Sequence, residues 1–155
     1  MNISEAKEVA AKLLASPEMG SWSQETLATW LEFDCRCAYC DRKMLEDRAI
    51  AYFFSHSDHL LPQSKYPQLS TTPSNRVLSC KSCNTIKSDW DPNSNNGIVI
   101  EPTRSQLTSE ERSKLIATTR AWLTPMKERD EKRFEIEREM IEGCLKPKAP
   151  GVTNS

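Results

Sequence analysis

The sequence predicts an α+β fold, a small metal-held core with helical extensions on both sides. Two Cys-x-x-Cys pairs, at residues 37–40 and 80–83, bracket the middle of the chain. A short apolar run at residues 76–79 leads directly into the second pair, and a helical pattern begins inside that pair. Apolar residues also recur at helical spacing near both ends of the chain. These three observations predict a core of knuckle, strand, loop, strand and helix, where a knuckle is a turn that presents two thiols.

The chain has 155 residues, which suits one domain with extensions. We divide it into an N-terminal helical segment (1–33), a core with the metal site (34–103), a C-terminal helical extension (104–145) and a disordered tail (146–155). The modest apolar content predicts a small core, and small cores often need a bound metal for stability.

The charge balance excludes a protein that coats nucleic acid through a strong overall positive charge. Lys plus Arg number 21 and Asp plus Glu number 22, which gives a net charge of −1. Residues 1–33 carry a net charge of −3 and residues 34–90 carry +2, so the core alone can still face a nucleic acid. No stretch is apolar enough to span a membrane and none reads as a signal peptide. We therefore expect a cytoplasmic location and no membrane partner.

The extensions carry recognisable helix signals. Asn2 or Ser4 is expected to cap the first helix, and Ser21 with Gln24 resembles a capping box for the second. In the C-terminal extension, Thr108 and Glu111 form another capping box. Pro125 is expected to kink or end the helix that follows it.

Within the core, the β-rich run at residues 50–54 predicts a first strand that ends at residues 57–59. Residues 62–75 contain three prolines among Ser and Thr and predict a loop. Residues 76–79 are expected to form the second strand, and a helix should begin near residue 83. Residues 98–100 are a candidate for a further short strand.

The two cysteine pairs predict one structural zinc ion with four ligands: Cys37, Cys40, Cys80 and Cys83. A Cys-x-x-Cys turn lets two thiolates reach the same ion, and two turns complete a tetrahedron. Reduced thiols in the expected compartment favour a metal over disulfides or free core thiols. Cys35 offers an alternative ligand, although only Cys37 has the right spacing to Cys40. Cys144 stands alone.

A second set of polar residues accompanies the cysteines: Asp58, His59, Asn75, Asn84 and Lys87. They lie in the segments SDHLLPQSKYP (57–67) and SNRVLSCKSCNTIKSD (74–89). Together these segments resemble the HNH endonuclease family, the ββα-metal nucleases, over roughly residues 35–90. The resemblance implies a treble-clef-like ββα-metal core and a metal-dependent endonuclease that hydrolyses phosphodiester bonds.

The resemblance also implies a role for each residue. His59 would be the general base that takes a proton from the attacking water, because neutral imidazole is available near pH 7. Asp58 and Asn84 would hold a catalytic Mg²⁺ or Mn²⁺ ion, because hard cations take oxygen ligands. Asn75 would be the structural Asn that holds the loop around the base. The family pattern has His at its third position, and Asn84 stands there in this chain.

Two residues keep open interpretations. Lys87 lies three residues after Asn84 and so on the same helix face. It could contact the scissile phosphate or be an ordinary solvated lysine. His56 would share a strand face with Asp58 and could be a further metal ligand, a partner of Asp58 or a plain polar residue.

DNA is the expected substrate, with RNA left open. The segments 62–69 and 74–89 are also similar to the HNH subunit of Septu-type anti-phage defence systems, which implies an ATPase subunit as a possible partner. Two alternatives come from other classes. One is a non-catalytic zinc module that binds nucleic acid or protein, and the other is a thiol redox protein.

Overall fold

A computed structural model describes residues 1–20, 22–95 and 99–145, without the side chains of residues 94 and 95. The predicted tail at 146–155 lies outside the described residues. The mixed helix-and-strand architecture with a four-cysteine cluster confirms the predicted α+β class, and the boundaries at residues 33, 103 and 145 stay predictions. Seven main elements follow in chain order, joined by turns and short 3-10 helices: α1 (Ile3–Leu14), α2 (Gln24–Glu32), α3 (Arg48–Phe53), β1 (Ser55–His59), β2 (Arg76–Cys80), α4 (Lys81–Lys87) and α5 (Ser109–Leu145).

The centre of the core is an antiparallel hairpin of β1 and β2. Its register pairs Ser55 with Cys80 at one end and His59 with Arg76 at the other. Helix α4 follows β2 without a gap. The hairpin therefore has a cysteine end, at Ser55 and Cys80, and a histidine end, at His59 and Arg76.

The strand predicted at residues 50–54 is wrong, because this run belongs to α3 and the strand begins at Ser55. Asp47 caps α3, since its carboxylate accepts a hydrogen bond from the Ile50 N–H at 2.9 Å. The side chains of Tyr52 and Phe53 are 65% and 68% exposed, so they do not fill a buried strand face. A local cap therefore outweighs the β propensity of the aromatic residues.

Helices α1 and α2 form an N-terminal pair. Asn2 caps α1 in a complete capping box with Glu5, which confirms one of the two predicted caps. The cap of α2 is Ser23, whose hydroxyl accepts from the Thr26 N–H, whereas the predicted cap, Ser21, lies outside the described residues. Both serines precede helix-forming residues, and sequence alone could not separate two caps that lie two residues apart.

Helix α5 begins at the predicted capping box, where Thr108 and Glu111 exchange two hydrogen bonds of 2.8 and 3.2 Å. Pro125 is predicted either to kink or to end this helix. The helix does not end there but continues to Leu145. Proline removes one backbone hydrogen bond, which the carbonyl of Ala121 would accept. Because Ala121 is exposed, water can satisfy that carbonyl.

The main hydrophobic core lies between the hairpin, α2 and the first half of α5, where Leu78, Leu115 and Leu123 are fully buried. The indole of Trp122 on α5 stacks on that of Trp90 at 4.2 Å. The possible strand at 98–100 is not found in its described part. Instead, the side chain of Asn93 receives the Ile100 N–H at 2.9 Å.

In the part of the chain that the structure describes, no helix combines the length and apolar character needed to cross a membrane.

Candidate zinc centre and histidine site

The four predicted cysteines meet at the cysteine end of the hairpin. Their Sγ atoms all lie within 4.8 Å of one another. Those of Cys40 and Cys80 are 3.7 Å apart, close to the edge of about 3.8 Å in a tetrahedron with zinc–sulfur bonds of about 2.3 Å. Four thiols at this spacing fit a structural zinc ion. Within residues 1–20, 22–95 and 99–145, no other group of three or more His, Cys, Asp or Glu side chains is placed to hold a metal.

Local backbone geometry turns each cysteine pair toward this point. Asp41 closes the first knuckle with a left-handed φ of 61°, which Asp tolerates better than most residues. The second pair lies where β2 becomes α4. There the backbone N–H of Cys80 donates to Cys37 Sγ at 3.3 Å and that of Cys83 donates to Cys80 Sγ at 3.5 Å. These N–H groups stabilise negative charge on sulfur.

Hydrogen bonds within the cluster divide the four thiols into two classes. The neighbouring Cys37 is the largest influence on two of them: it lowers the pKa of Cys80 to about 6 and lowers that of Cys40 as well. The pKa values of Cys37 and Cys83 are raised by their neighbours, led by Cys40 and Cys37 respectively. Two sulfurs thus carry negative charge readily, as ligands of a cation must.

The remaining two cysteines stay apart from the cluster. Cys35 is half-buried but is not one of the four clustered thiols, so the structure does not adopt it as a ligand. Cys144 is exposed near the end of α5.

His59 occupies the opposite end of β1. Its Nε2 lies 2.8 Å from the backbone oxygen of Ser70. A carbonyl oxygen can only accept, so Nε2 carries the proton in the neutral ring and Nδ1 keeps its lone pair. The side-chain amide nitrogen of Gln63 lies 2.7 Å from Nε2 and 2.9 Å from Nδ1. Because Nε2 already donates to Ser70, Nδ1 is the ring nitrogen that can accept from this amide. The ring is therefore held in one tautomer, with its basic nitrogen toward a displaceable, exposed side chain.

The environment keeps His59 neutral. Burial lowers the pKa of this half-buried ring, and the cations Arg76 and Lys87 lower it further, against the opposing effects of Ser70 and Asp58. Because the pKa falls below its usual 6.5, the ring can accept a proton over the whole neutral range.

Asp58 is buried and already has two partners. The hydroxyl of Tyr39 donates to its Oδ2 at 2.6 Å, and the ammonium of Lys87 lies 3.4 Å from the same oxygen. Burial, followed by the Asp58 charge, raises the pKa of Tyr39 well above its usual value, so the phenol keeps its proton. The other carboxylate oxygen, Oδ1, makes no hydrogen bond within the described chain.

Lys87 differs from both interpretations drawn from the sequence, since each assumed an accessible side chain. The residue is 1% exposed, and its ammonium donates to the backbone oxygen of His59 at 2.8 Å. Lys87 therefore ties α4 to the Asp58-His59 segment and does not extend into solvent. In this arrangement its ammonium is not presented to a phosphate at the surface.

The side chains of Asn84 and His56 make fewer hydrogen bonds than those of Asp58 and Lys87. Asn84 is half-buried on α4, and its side chain makes no hydrogen bond to the described residues. His56 faces Ser79 across the hairpin. The Nε2 atom of His56 and the Oγ atom of Ser79 are both buried without a partner among the described residues. No hydrogen bond or ion pair in the described part of the chain joins His56 to Asp58, although strand alternation gives them one face.

Asn75 is fully buried and binds the loop that follows His59. Its Oδ1 accepts from the Leu61 N–H at 2.8 Å, and its Nδ2 donates to the oxygens of Leu61 and Leu69 at 3.0 and 3.3 Å. The backbone oxygen of Asn75 accepts from the Leu60 N–H at 2.9 Å. One side chain thus holds both ends of the 60–69 loop.

A residue from the C-terminal extension supports Asn75 from behind. Arg112 on α5 donates through Nε to the backbone oxygen of Ser74 at 2.9 Å and through Nη2 to that of Arg76. The same guanidinium binds both carboxylate oxygens of Glu32 on α2. It joins both extensions to the backbone on either side of Asn75.

Sequence reasoning missed three of these residues: Tyr39, Gln63 and Arg112. Tyr39 lies inside the first knuckle and Arg112 lies in an amphipathic helix, where spacing gives no sign of a contact with a distant segment. Gln63 is four residues after His59 in a loop, and only the folded loop brings its amide to the ring.

Comparison with known proteins agrees with this geometry. No curated protein is similar enough to this chain to count as a match. Residues 37–89 of the 155 match a family model described as HNH endonuclease, and the matched segment contains the zinc cluster, Asp58, His59, Asn75 and Asn84. This match confirms the predicted resemblance to the HNH endonuclease family over residues 37–89 and indicates a nuclease-type function.

Proposed function

We propose that this protein is a metal-dependent endonuclease that hydrolyses phosphodiester bonds, with DNA as the expected substrate and His59 as the general base. The observation that carries this proposal is the fixed tautomer of His59. Its Nε2 is held by the Ser70 carbonyl at 2.8 Å, and Nδ1 faces a side chain that a water molecule can displace.

In the proposed reaction, Nδ1 of His59 takes a proton from the water that attacks the phosphorus. The positive charge that then forms on the ring is shared with the Ser70 oxygen through Nε2–H. A neutral ring at the start of the reaction is favoured by burial, which lowers the His59 pKa.

Asp58 and Asn84 are the residues that would hold a Mg²⁺ or Mn²⁺ ion. Oδ1 of Asp58 and the amide oxygen of Asn84 have no protein partner among the described residues, and hard cations take such oxygens together with water. The bound ion would stabilise charge on the phosphate and on the leaving oxygen. Tyr39 and Lys87 fix the carboxylate of Asp58 through its other oxygen.

Asn75 is proposed to act through position alone. By holding the 60–69 loop it fixes the backbone immediately after His59, and displacements near 1 Å at a catalytic group are costly in rate. A cytoplasmic location, a role in anti-phage defence and an ATPase partner stay predictions from the sequence.

A non-catalytic zinc module is the second candidate, favoured by one observation. The negative charge of Asp58 is already balanced by Lys87, and its Oδ2 is bound by Tyr39. A metal cation would therefore be attracted less strongly to this carboxylate. Such a module would bind nucleic acid whichever divalent cation is added and would cleave it with none of them.

A cleavage assay separates the two candidates. Zinc-loaded protein is incubated with plasmid, linear duplex, single-stranded DNA and RNA, with Mg²⁺, Mn²⁺ or chelator. We expect cleavage with Mg²⁺ or Mn²⁺ and none without, and a loss of cleavage in Asn84→Ala. Asn84 is a sharper test than Asp58, because removing the Asp58 carboxylate would leave the buried Lys87 charge unpaired. Binding without cleavage of any substrate would contradict the proposal.

A further inference from the structure

Helix α3, which the sequence did not predict, carries an exposed surface that the proposed active site does not use. We call it the α3 patch. Its apolar members are Leu45, Tyr52, Phe53 and Phe54, and each is at least 47% exposed. Large apolar side chains grouped in this way on a small protein commonly mark a binding surface.

Four basic side chains lie in or beside the segments that carry these apolar residues, and none has an acidic partner among the described residues. The cations of the α3 patch are Arg42, Lys43, Arg48 and Lys81. All four are exposed, and none forms an ion pair with a described residue. Of the three nearby carboxylates, Asp41 pairs with Arg36 at 3.0 Å and Asp47 caps α3, while Glu46 is exposed and forms no ion pair with a described residue. The patch therefore presents more free positive than free negative charge.

One apolar member of the patch, Phe54, meets two of its cations in a shallow depression, whereas Tyr52 lines a neighbouring depression with Trp22 and Trp30. Arg42 and Lys81 line the first depression together with Ile50 and Phe54. The backbone of Lys81 donates to the Phe54 oxygen at 2.7 Å, which fixes the two segments against each other. On the outer face of α3, the guanidinium of Arg48 lies 5.9 Å from the centre of the Tyr52 ring.

The second half of α5 shows that exposed apolar residues alone would not lead to the same conclusion. Phe134 and Ile141 are 62% and 61% exposed, as much as Tyr52. The charges around them pair along the helix, however, as Arg133 does with Asp130 at 2.6 Å and Arg138 with Glu142 at 3.9 Å. Residues 127–142 carry seven acidic and five basic side chains, so this surface has no excess of positive charge.

We propose that the α3 patch binds a single-stranded stretch of nucleic acid, with unpaired bases stacked on Tyr52 and Phe53 and phosphates beside Arg42 and Lys81. Aromatic rings accept bases without sequence preference, and the surrounding cations take the backbone. In a duplex the bases are stacked on one another, so their faces are not available to the rings.

This inference rests on the proposed function, and it restricts the substrates of the proposed endonuclease to nucleic acids with an unpaired stretch. Phe54 directly precedes β1, and β1 leads over its five residues to His59. At about 3.3 Å per residue this strand places the patch roughly 15 Å from the base. A strand held at the patch could therefore extend along the hairpin to the proposed site, which favours substrates with an unpaired stretch beside the cleaved bond.

Binding is measured by fluorescence anisotropy with zinc-loaded His59→Ala protein, which cannot consume the probe, and labelled single-stranded and duplex DNA of equal length. The main variant is Tyr52→Leu with Phe53→Leu, which keeps apolar bulk and helix propensity but removes the aromatic faces. We expect single-strand affinity to fall about tenfold or more and duplex affinity to change less than twofold. Ile141→Leu, at a 61% exposed side chain near the end of α5, is the control for an exposed apolar residue outside the patch and should change neither.

A second variant, Arg42→Gln with Lys81→Gln, tests the cations without touching the rings. We expect the slope of log affinity against log salt for the single strand to become shallower by about 1.4, since each phosphate contact contributes about 0.7. Unchanged single-strand binding in both variants overturns the inference. Equal losses for duplex and single strand overturn the stacking, and normal DNA binding with loss of a protein partner would assign the patch to protein docking.

The outcome is separable from that of the proposed function. If wild-type protein cleaves DNA while the α3 variants bind every probe normally, the inference fails and the nuclease stands. If wild-type protein cleaves nothing while the leucine variant loses single-strand affinity, the inference stands and the nuclease fails.

Discussion

At the cysteine end of the hairpin four side chains converge on one point, whereas at the histidine end the side chains are linked in a chain of hydrogen bonds. The cysteine end places four sulfurs within 4.8 Å of one another. The histidine end is held by hydrogen bonds of Lys87, Asn75 and Arg112, and the partners of these bonds are backbone atoms near His59 instead of its ring.

This difference between the two ends of the hairpin suggests that the cysteine end stabilises the fold and the histidine end serves the proposed reaction. Four thiols this close together bind a cation strongly, and the free energy of that binding stabilises the folded state. Among the described residues, the basic nitrogen of the His59 ring faces only the exposed amide of Gln63, which water can displace. A ligand to a structural metal would not keep its basic nitrogen available in this way. Changes at the cysteine end are therefore expected to reduce folding stability, and changes in the His59 ring to reduce the rate of the proposed reaction.

The largest expected effect is from Cys80→Ser, which removes a zinc ligand. Structural zinc in small domains contributes about 10 kcal/mol or more to folding, so we expect the variant to lose its zinc and its cooperative melting transition. Cys144→Ser, at an exposed thiol outside the cluster, is the matched control and should melt like the wild type. Zinc content and thermal melting measure both. A Cys80→Ser protein that keeps the wild-type transition would contradict the zinc assignment.

Arg112→Met is expected to come next, with a loss of about 3–5 kcal/mol in the free energy of unfolding. Glu32 would keep a buried charge without its partner, and such broken pairs cost about that much. The double variant Arg112→Met with Glu32→Leu should recover part of the loss. Urea unfolding gives the values, with Arg129→Met on the exposed part of α5 as control. An Arg112→Met protein as stable as that control would show that the clamp is unimportant.

Asn75→Ala and Asn84→Ala compare the same substitution in two settings. Removing Asn75 leaves the buried backbone groups of Leu61 and Leu69 without partners, and we expect a loss of about 2–3 kcal/mol. Asn84 has an uncommitted side chain, so its loss should change stability by about 0.5 kcal/mol or less. The result to look for in urea unfolding is a clear gap between the two. Equal values would mean that the hydrogen bonds of Asn75 do not stabilise the loop.

The pH dependence of cleavage is the smallest effect and concerns His59 alone. Burial lowers its folded pKa below 6.5, so the basic form persists to a lower pH than in a free histidine, and activity is lost only as the pH falls through the lowered value. A profile of kcat/KM from pH 5 to 8 should therefore have its acidic midpoint below 6.5. A midpoint at or above 6.5 would argue against a buried, neutral base.

Sequence reasoning found the parts of the fold that short-range patterns encode. The cysteine spacing predicted the cluster, the apolar run at 76–79 predicted β2, and Thr108 with Glu111 predicted the start of α5. It missed the bounds of β1, whose residues Ser-His-Ser-Asp-His have no apolar alternation, because pairing with β2 decides that strand.

Only those residues of the candidate site that belong to a recognisable sequence motif could be predicted. Asp58, His59, Asn75 and Asn84 were named from the chain, but the partners that hold them were not. Arg112 and Glu32 are 80 residues apart, and Tyr39 and Asp58 are 19 apart. Contacts over such separations depend on how the elements pack, and one sequence carries no periodic signal for them.

The central claim is that the reaction depends on His59 while the fold depends on the cysteines. The most direct test is the initial rate of plasmid cleavage by zinc-loaded His59→Ala relative to wild type in Mg²⁺, with zinc content and melting temperature recorded for both. We predict a fall of about 10²- to 10⁴-fold in rate with unchanged zinc content and melting. An undiminished rate in a folded, zinc-loaded His59→Ala protein would contradict the account.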